Sequence, residues 1–533
     1  MSKDLLLEIG TEEIPSSYCP PALAQIEEMV KKFWPEQGMT FSQLKTFGTP
    51  RRLVLFVKNL KTGDKEDNLA NFLKKIITSI SFPKSMRWGY LNLRFARPIR
   101  WILAIFGQKV IKFDLEGIEA NKFSYGHRFL SPGKFLVKNF DQYQKELRKR
   151  FVIVDPRERK NLIKKQIEEL AEKVKGRVLP DEKLLETVNW LVEYPVALLG
   201  SFKKEFLILP REVLIMAMRH HQRYFSIINE KGKLLPYFIT IANIKVLEPR
   251  KIIEGNERVL TARLNDAQFL FAKDKKIPLF RRVKELKKIT FQEELGSMEE
   301  KTQRLMKISQ FLALLIEPKI KSEVSRAAFL SKADLTSEMV GEFPELQGVM
   351  GGYYAKISGE REGVSQAISQ HYQPRFAGDS LPQTKGGSII SLADKIDNLV
   401  GYFGLEFLPT GQEDPYALRR QALGLLQIIW ENDFQLSLEK LIEKSLSLYQ
   451  KFEKNKDKIK NQLLDFLAAR LENLLETKGF SPPLIKAAIN SGFDDLSLVK
   501  KKLEALNWIV AQPKFESFKL AIKRTNNILA GHV

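Results

Sequence analysis

The chain has 533 residues, 44% of them apolar, enough for a sizeable core and about three or four domains. Lys and Arg number 86 against 64 Asp and Glu, a formal charge of +22, which points to a polyanionic partner, usually nucleic acid; a lysine-rich AT-biased or thermophile proteome produces the same balance. The single cysteine, Cys19, excludes an internal disulfide framework and a cysteine zinc site and fits a reducing cytoplasm. The N-terminus lacks the basic leader and apolar core of a signal peptide, and no apolar run approaches the ~20 residues of a membrane helix.

Residues 5–9 read as an apolar strand leaving at Gly10, with Thr11, Glu12 and Glu13 placed to cap and charge a helix start. Helical spacing follows over 21–33 (Leu23, Ile26, Met29, Val30, Phe33), then a strand over 52–57. A polar stretch and a short helix (Leu69, Phe72, Leu73, Ile76, Ile77) fill 61–85. Short apolar strands are predicted at 99–106, 110–115, 135–137 and 151–154. Asp155-Pro156-Arg157-Glu158 opens a helix, with Asp as cap, Pro in the first turn and Glu three residues on. A second helix spans about 184–192, a third 212–221, and a strand 234–242. From about 255 the pattern is almost wholly helical. The fold class is α+β: a mixed strand and helix N-terminal half, then an all-α half. The expected divisions are 1–85, 86–250 with a helical insertion near 155–193, 251–410 and 411–533.

No phosphate-binding glycine loop, dinucleotide fingerprint, kinase set or class I synthetase motif pair occurs, so substrate binding is favoured over amino-acid activation. Five histidines (His127, His220, His221, His371, His532) show no metal-ligand spacing. His220 and His221 are adjacent, so on a helix their rings diverge by about 100° and do not share an ion. Ser331-Lys332-Ala333-Asp334-Leu335 and the later Asp394 and Asp397, three apart on a helix, resemble the core of HD-type phosphohydrolases. Ala333 stands where such enzymes have histidine, so the reading is a degenerate, non-hydrolytic HD-like domain of 251–410 carrying Lys332, Asp334, Asp394 and Asp397. Ordinary capping and ion-pair carboxylates explain the same pattern.

Basic residues alternate with aromatics at several places: Arg51 and Arg52 after Gly48-Thr49-Pro50; Arg87 beside Trp88; Arg97 and Arg100 around Pro98 and Trp101; His127 and Arg128 before Phe129. Such alternation suits phosphate pairing with base stacking; a solvated basic face over an aromatic core gives it too. Asp414-Pro415-Tyr416-Ala417-Leu418-Arg419-Arg420 reads as a helix starting at Pro415, whose first-turn amides, with Arg419 and Arg420, can receive a phosphate.

These segments, in order, resemble the β subunit of bacterial glycyl-tRNA synthetase, the heterotetrameric type. The wording includes LLLEIGTEEIP (5–15), TPRRL (49–53), RPIRW (97–101), GHRFL (126–130), LVEYP (191–195), HHQRYF (220–225), GEFPELQGVMGGYYA (341–355), LADKIDNLVGYF (392–403) and DPYALRRQALG (414–424), so the likeness covers essentially the whole chain. The resemblance implies a glycine–tRNA ligase subunit that binds and positions tRNA(Gly) for a separate catalytic α subunit in an α₂β₂ tetramer. ATP and magnesium are then used by the complex, with no cofactor bound by this chain. It makes Arg51, Arg52, Arg87, Arg97, Arg100, His127, Arg128, Arg223, Arg419 and Arg420 candidate tRNA contacts. Glu12 and Glu13, acidic in a basic chain, are candidate contacts to the α subunit. Two departures stand out. The stretch from Leu60 to Pro83 is shorter than in the family, and the helical anticodon-binding domain expected after Val533 is not in the sequence. A metal-dependent phosphohydrolase and a non-enzymatic RNA-binding or assembly protein are the alternatives.

Overall fold

Leu5, Leu6 and Leu7 run without a polar partner because the strand they form is covered on both sides. The computed structural model describes residues 2–245, 248–410 and 413–530; His532 and the His221 side chain lie outside the described residues. The chain divides into two units, Met1–Asp266 and Ala267–Val533. The division falls inside the helix Pro249–Asp274.

In the first unit, β1 (Lys3–Thr11) lies at the centre of a seven-stranded sheet with β2 (Gln43–Thr49), β3 (Arg52–Leu60), β4 (Ile99–Phe106), β5 (Lys109–Val110), β6 (Asp114–Leu115) and β7 (Ile118–Asn121). The order is β2-β3-β1-β4-β7-β6, with β5 paired to β4. Side chains alternate across β1 with period two. Leu5, Leu7 and Ile9 join a core with Leu23, Ile26, Val30 and Trp34 of helix Cys19–Glu36 and Leu73 and Ile77 of helix Leu69–Ser79. Leu6 faces the opposite core, with Val54, Phe56, Leu103, Ile105 and helix residues Tyr143 and Leu147. Glu8 and Gly10 therefore share the face of Leu6. Antiparallel register sets Gly10 between Arg52 of β3 and Trp101 of β4.

A small hairpin, β8 (Phe123–Tyr125) and β9 (Lys134–Leu136), follows the sheet. A second sheet, ordered β10-β12-β13-β11, comprises β10 (Arg177–Val178), β11 (Val196–Ser201), β12 (Phe225–Ile228) and β13 (Leu234–Ala242). Helices Pro156–Lys173 and Glu182–Asn189 cover it through Ile163, Ile167, Leu185 and Val188. Asp155 caps the first of these by accepting from the Arg157 amide, as its sequence predicts.

Within the second unit, helix Lys385–Gly404 is buried around nearly its whole circumference, and helices such as Met298–Ile316, Glu362–Gln370 and Leu418–Glu431 surround it. Among the described residues its strands are the two short ones of the hairpin Thr290–Gln292 and Gly296–Ser297. The α+β to all-α order is thus the observed architecture.

Several local expectations differ. Thr11 does not cap a helix: it ends β1, and the amides of Thr11, Glu12 and Ile14 donate to the carbonyls of Arg51, Pro98 and Pro50. Those neighbouring chains hold the segment extended, and the helix starts only at Cys19. Residues 151–154 are not a strand; they make isolated bonds, the Ile153 amide to Glu193 and the Gly48 amide to Val154. The predicted strand over 110–115 is broken into the ends of β5 and β6. The helix after residue 414 starts at Leu418, not Pro415, because Ala417 takes a left-handed φ of 54° at its cap.

Candidate nucleic-acid interface

The face of the first sheet that carries Leu6 continues into a buried ion cluster. Arg52 begins β3 with no exposed surface, and Glu193 follows helix Glu182–Asn189 at 1%. Arg52 Nη2 lies 3.1 Å from Glu193 Oε1, and its Nε donates to the same oxygen at 3.1 Å. Its Nη1 donates to the Tyr125 carbonyl at 2.9 Å and lies 3.7 Å from Glu8 Oε1. Glu8 accepts from Trp101 Nε1 at 2.8 Å and from Ser124 Oγ at 2.8 Å. Thr49 Oγ1 donates to Glu193 at 2.7 Å. Burial raises the Glu8 carboxyl above its ordinary range despite Arg52. For Arg52, burial opposes the charge, but Glu193 and Glu8 outweigh it and hold the guanidinium protonated.

Above this cluster opens a cleft of about 260 Å³, lined by Glu12, Arg51, Arg100, Trp101, Tyr125, Gly126, Arg128 and Pro132. Three expected arginines and the expected acidic pair meet here. Arg128 donates to Glu13 at 2.6 Å and to Glu12 at 3.0 Å. Glu12 also lies 3.4 Å from Arg100, and Glu13 3.8 Å from Arg51. Burial pushes the Glu13 carboxyl up, but a hydrogen bond from its own backbone amide, then Arg128 and Arg51, outweigh it and leave it below the usual range. The Trp101 and Tyr125 rings, tilted against each other with centroids 4.9 Å apart, belong to the same cleft. Three guanidiniums against two carboxylates leave a surplus of positive charge. Glu13 keeps 51% of its side-chain surface exposed while it holds Arg128.

Arg52 and His127 were both expected at a nucleic-acid surface, and both are buried. Arg52 is spent on Glu193 and the Tyr125 carbonyl. His127 is 1% exposed, and its Nδ1 accepts the amides of Phe129 and Leu130 at 3.3 Å. Burial lowers its pKa, so the ring is a neutral acceptor that pins the loop bearing Arg128. Arg87, Arg97 and Arg223 are exposed but do not line this cleft. Arg97 donates to its neighbour's Ala96 carbonyl, and Arg223 to the Arg219 carbonyl.

The helix that carries Arg419 and Arg420 offers no open pair of first-turn amides. The Asp414 carboxylate accepts the Leu418 amide at 2.8 Å and the Arg419 amide at 3.0 Å, so an anion already occupies the expected phosphate position. Arg420 donates to the Arg375 carbonyl.

The second unit gathers Lys332, Asp334, Asp394 and Asp397 in its interior, with Lys301, Arg304 and His371, which sequence reasoning did not select. Lys301 Nζ lies 3.1 Å from Asp394 and 2.9 Å from Asp397; Arg304 Nε donates to Asp397 at 2.8 Å. Lys332 Nζ lies 3.1 Å from Asp394 and 3.0 Å from His371 Nε2. His371 Nδ1 faces the Ile368 carbonyl at 2.6 Å, so it carries the proton and Nε2 accepts from Lys332. Burial, then Lys332, holds this histidine well below its ordinary pKa. Burial lowers Lys332 to about 8. Burial would raise Asp394, but Lys301 and Lys332 hold it far below the carboxylate range. Asp334 stands apart: its Oδ2 accepts the Gly348 and Gly351 amides at 2.6 and 2.9 Å, and burial pushes it up to about 6. Among the described residues, no three His, Cys, Asp or Glu side chains group as metal ligands. Cations meet two of these carboxylates, Lys301 and Lys332 at Asp394 and Lys301 with Arg304 at Asp397, while backbone amides hold Asp334.

Comparison with known proteins gives this architecture its class, that of an aminoacyl-tRNA synthetase subunit. Residues 5–69 and 63–490 match the glycyl-tRNA synthetase beta subunit family. The glycine–tRNA ligase beta subunit of Syntrophus aciditrophicus is 43% identical over 591 aligned positions, covering 99% of this chain and 86% of that protein. Those of Trichlorobacter lovleyi and Geotalea uraniireducens are each 41% identical, covering 99% and 100% of this chain and 86% of each relative. The chain belongs to the glycyl-tRNA synthetase beta subunit family. The aligned positions outnumber the 533 residues of the chain, so the relatives carry residues it lacks. The family match breaks at 63–69, inside the stretch expected to be short.

Proposed function

We propose that this chain acts as the β subunit of a glycine–tRNA ligase, binding tRNA(Gly) and positioning it for glycylation by a separate α subunit in an α₂β₂ tetramer. The observation that carries the tRNA role is the convergence of Arg51, Arg100 and Arg128 with Trp101 on one cleft of a +22 chain. Guanidinium forks pair with phosphate oxygens bidentately, and each contact releases counterions. The rim is also where Glu12 and Glu13 meet the α subunit; both carboxylates hold arginines, so charge reversal there loosens cleft and subunit contact together. ATP and magnesium enter through the α subunit, and the complex works in the cytoplasm. Among the described residues, no helix is long and apolar enough to cross a membrane.

Aminoacylation assays with each chain alone and with both together test the division of labour. The expected result is charged tRNA only from the mixture, with no glycyl-adenylate from this chain. Adenylate formed by this chain alone, or no charging by the mixture, overturns the reading.

A further inference from the structure

The segment between Met86 and Phe95 is built as an ordered finger. Its feet pair across the chain: the Met86 amide donates to the Phe95 carbonyl at 2.8 Å, and the Phe95 amide returns to Met86 at 3.2 Å. Phe95 is fully buried and stands edge-on to Phe82, with centroids 4.8 Å apart; Leu93 and Trp88 pack on the same core. Glu116 clamps the second arm, its Oε2 accepting the amides of Asn92 at 2.6 Å and Leu93 at 3.0 Å. At the tip the Leu91 amide donates to the Trp88 carbonyl at 3.3 Å, closing a four-residue turn. Gly89 takes φ 58° at its second position, a conformation that costs glycine nothing.

That turn holds Tyr90 at 106% relative exposure, so its ring contributes nothing to the core. Single exposed apolar residues are common. This one differs in its setting: it stands on a clamped turn, with Arg87 two residues before the tip and Arg94 on the returning arm. Both arginines are exposed, and among the described residues neither has a carboxylate partner. Arg94 donates only to Ser85 Oγ at 3.2 Å. The cleft arginines, by contrast, are already tied to Glu12 and Glu13. Glu116, the carboxylate that touches the finger, is directed onto two backbone amides.

We propose that this finger is an RNA-stacking element: Tyr90 receives the face of an unpaired nucleobase while Arg87 and Arg94 pair with the flanking phosphates. The inference rests on the tRNA-binding reading and names a second contact outside the cleft. An unpaired base is required because neighbours cover both faces of a base inside a duplex. An open ring face on a preformed turn stacks any base without a rotamer search, which gives affinity without sequence preference.

The test measures binding by the full chain of three probes at fixed salt: a tRNA(Gly) transcript, a single-stranded oligoribonucleotide carrying 2-aminopurine, and a blunt RNA duplex. Tyr90→Ala is expected to weaken the first two by about tenfold and to leave the duplex unchanged. Tyr90→Phe and Tyr90→Trp retain wild-type affinity and quench 2-aminopurine; Tyr90→Ala does not quench it. Arg87→Ala and Arg94→Ala each lower the salt slope by about one, whereas Tyr90→Ala leaves it unaltered. Because Tyr90 touches no core, its variants keep the wild-type thermal midpoint. Wild-type affinity in Tyr90→Ala, or failure of Phe to restore it, overturns the finger while the functional reading stands. Loss of α-subunit capture with RNA affinity intact overturns it in favour of a protein contact. A wild-type chain that binds neither tRNA nor single strand overturns the functional reading itself.

Discussion

The Arg52 guanidinium meets the Glu193 carboxylate at 3.1 Å across 141 residues of chain, and neither side chain reaches solvent. The pair joins the first strand pairs of the sheet to the segment after helix Glu182–Asn189. Removing one member strands the other's charge in the interior. Arg52→Ala is expected to cost about 3–5 kcal/mol, read as a fall in the denaturation midpoint. Arg52→Lys fails to restore it, because a point-like ammonium lacks the planar fork whose separate nitrogens reach Glu193 and the Tyr125 carbonyl. The salt slope of tRNA binding, measured under conditions where the variant is folded, stays at the wild-type value.

Arg51 differs from its neighbour in this respect. It lines the cleft with Arg100 and Arg128, so each of Arg51→Ala, Arg100→Ala and Arg128→Ala lowers the tRNA salt slope by about one phosphate contact. Titration of binding constants against salt gives the slopes directly. Unchanged slopes in all three variants assign the cleft to the fold alone.

Gly10 sits in register between Arg52 and Trp101, and a Cβ there would stand 1.9 Å from the Trp101 ring. Both neighbours are held by sheet hydrogen bonds, so the indole must move and give up its bond to Glu8. Gly10→Ala is expected to destabilise the fold by about 1–3 kcal/mol, measured by denaturant titration.

Asp334, pushed up to about 6 by burial, binds its proton more tightly folded than unfolded, where the ordinary value is 3.8. Its contribution to stability is therefore complete below about pH 4 and is lost as pH rises through about 6. Asp334→Asn abolishes this titration while leaving an oxygen for the Gly348 and Gly351 amides. The stability of wild type relative to this variant should fall between pH 4 and 6 and level off above; a flat difference assigns the shift elsewhere.

Legibility tracked the range of the interaction. Helix Pro156–Lys173 was readable because its cap and first turn lie within four residues. Strand Leu234–Ala242 was readable from its own apolar run. The helix start expected at Thr11 does not form because Thr11, Glu12 and Ile14 bond to Arg51, Pro98 and Pro50, a choice no local propensity records. The phosphate position expected beside Arg419 is closed by a smaller cause: a left-handed Ala417 shifts the helix start by one turn and lets Asp414 fill the site. His371 carries no local sign of its role, because the lysine it accepts from, Lys332, lies 39 residues away.

The family, the order of a mixed half before a helical half, the basic surplus, and the arginines and acids from which a site could be made are all written in the amino-acid order. The roles of those side chains come from the packed fold. It turned Arg51 outward to Glu13 and the cleft while burying Arg52 on Glu193, and it set lysines rather than open space against Asp394 and Asp397. An ionic side chain is ruled by what shares its dielectric surroundings. Those partners arrive from distant segments through strand register and helix packing, so adjacent residues of one type meet opposite fates.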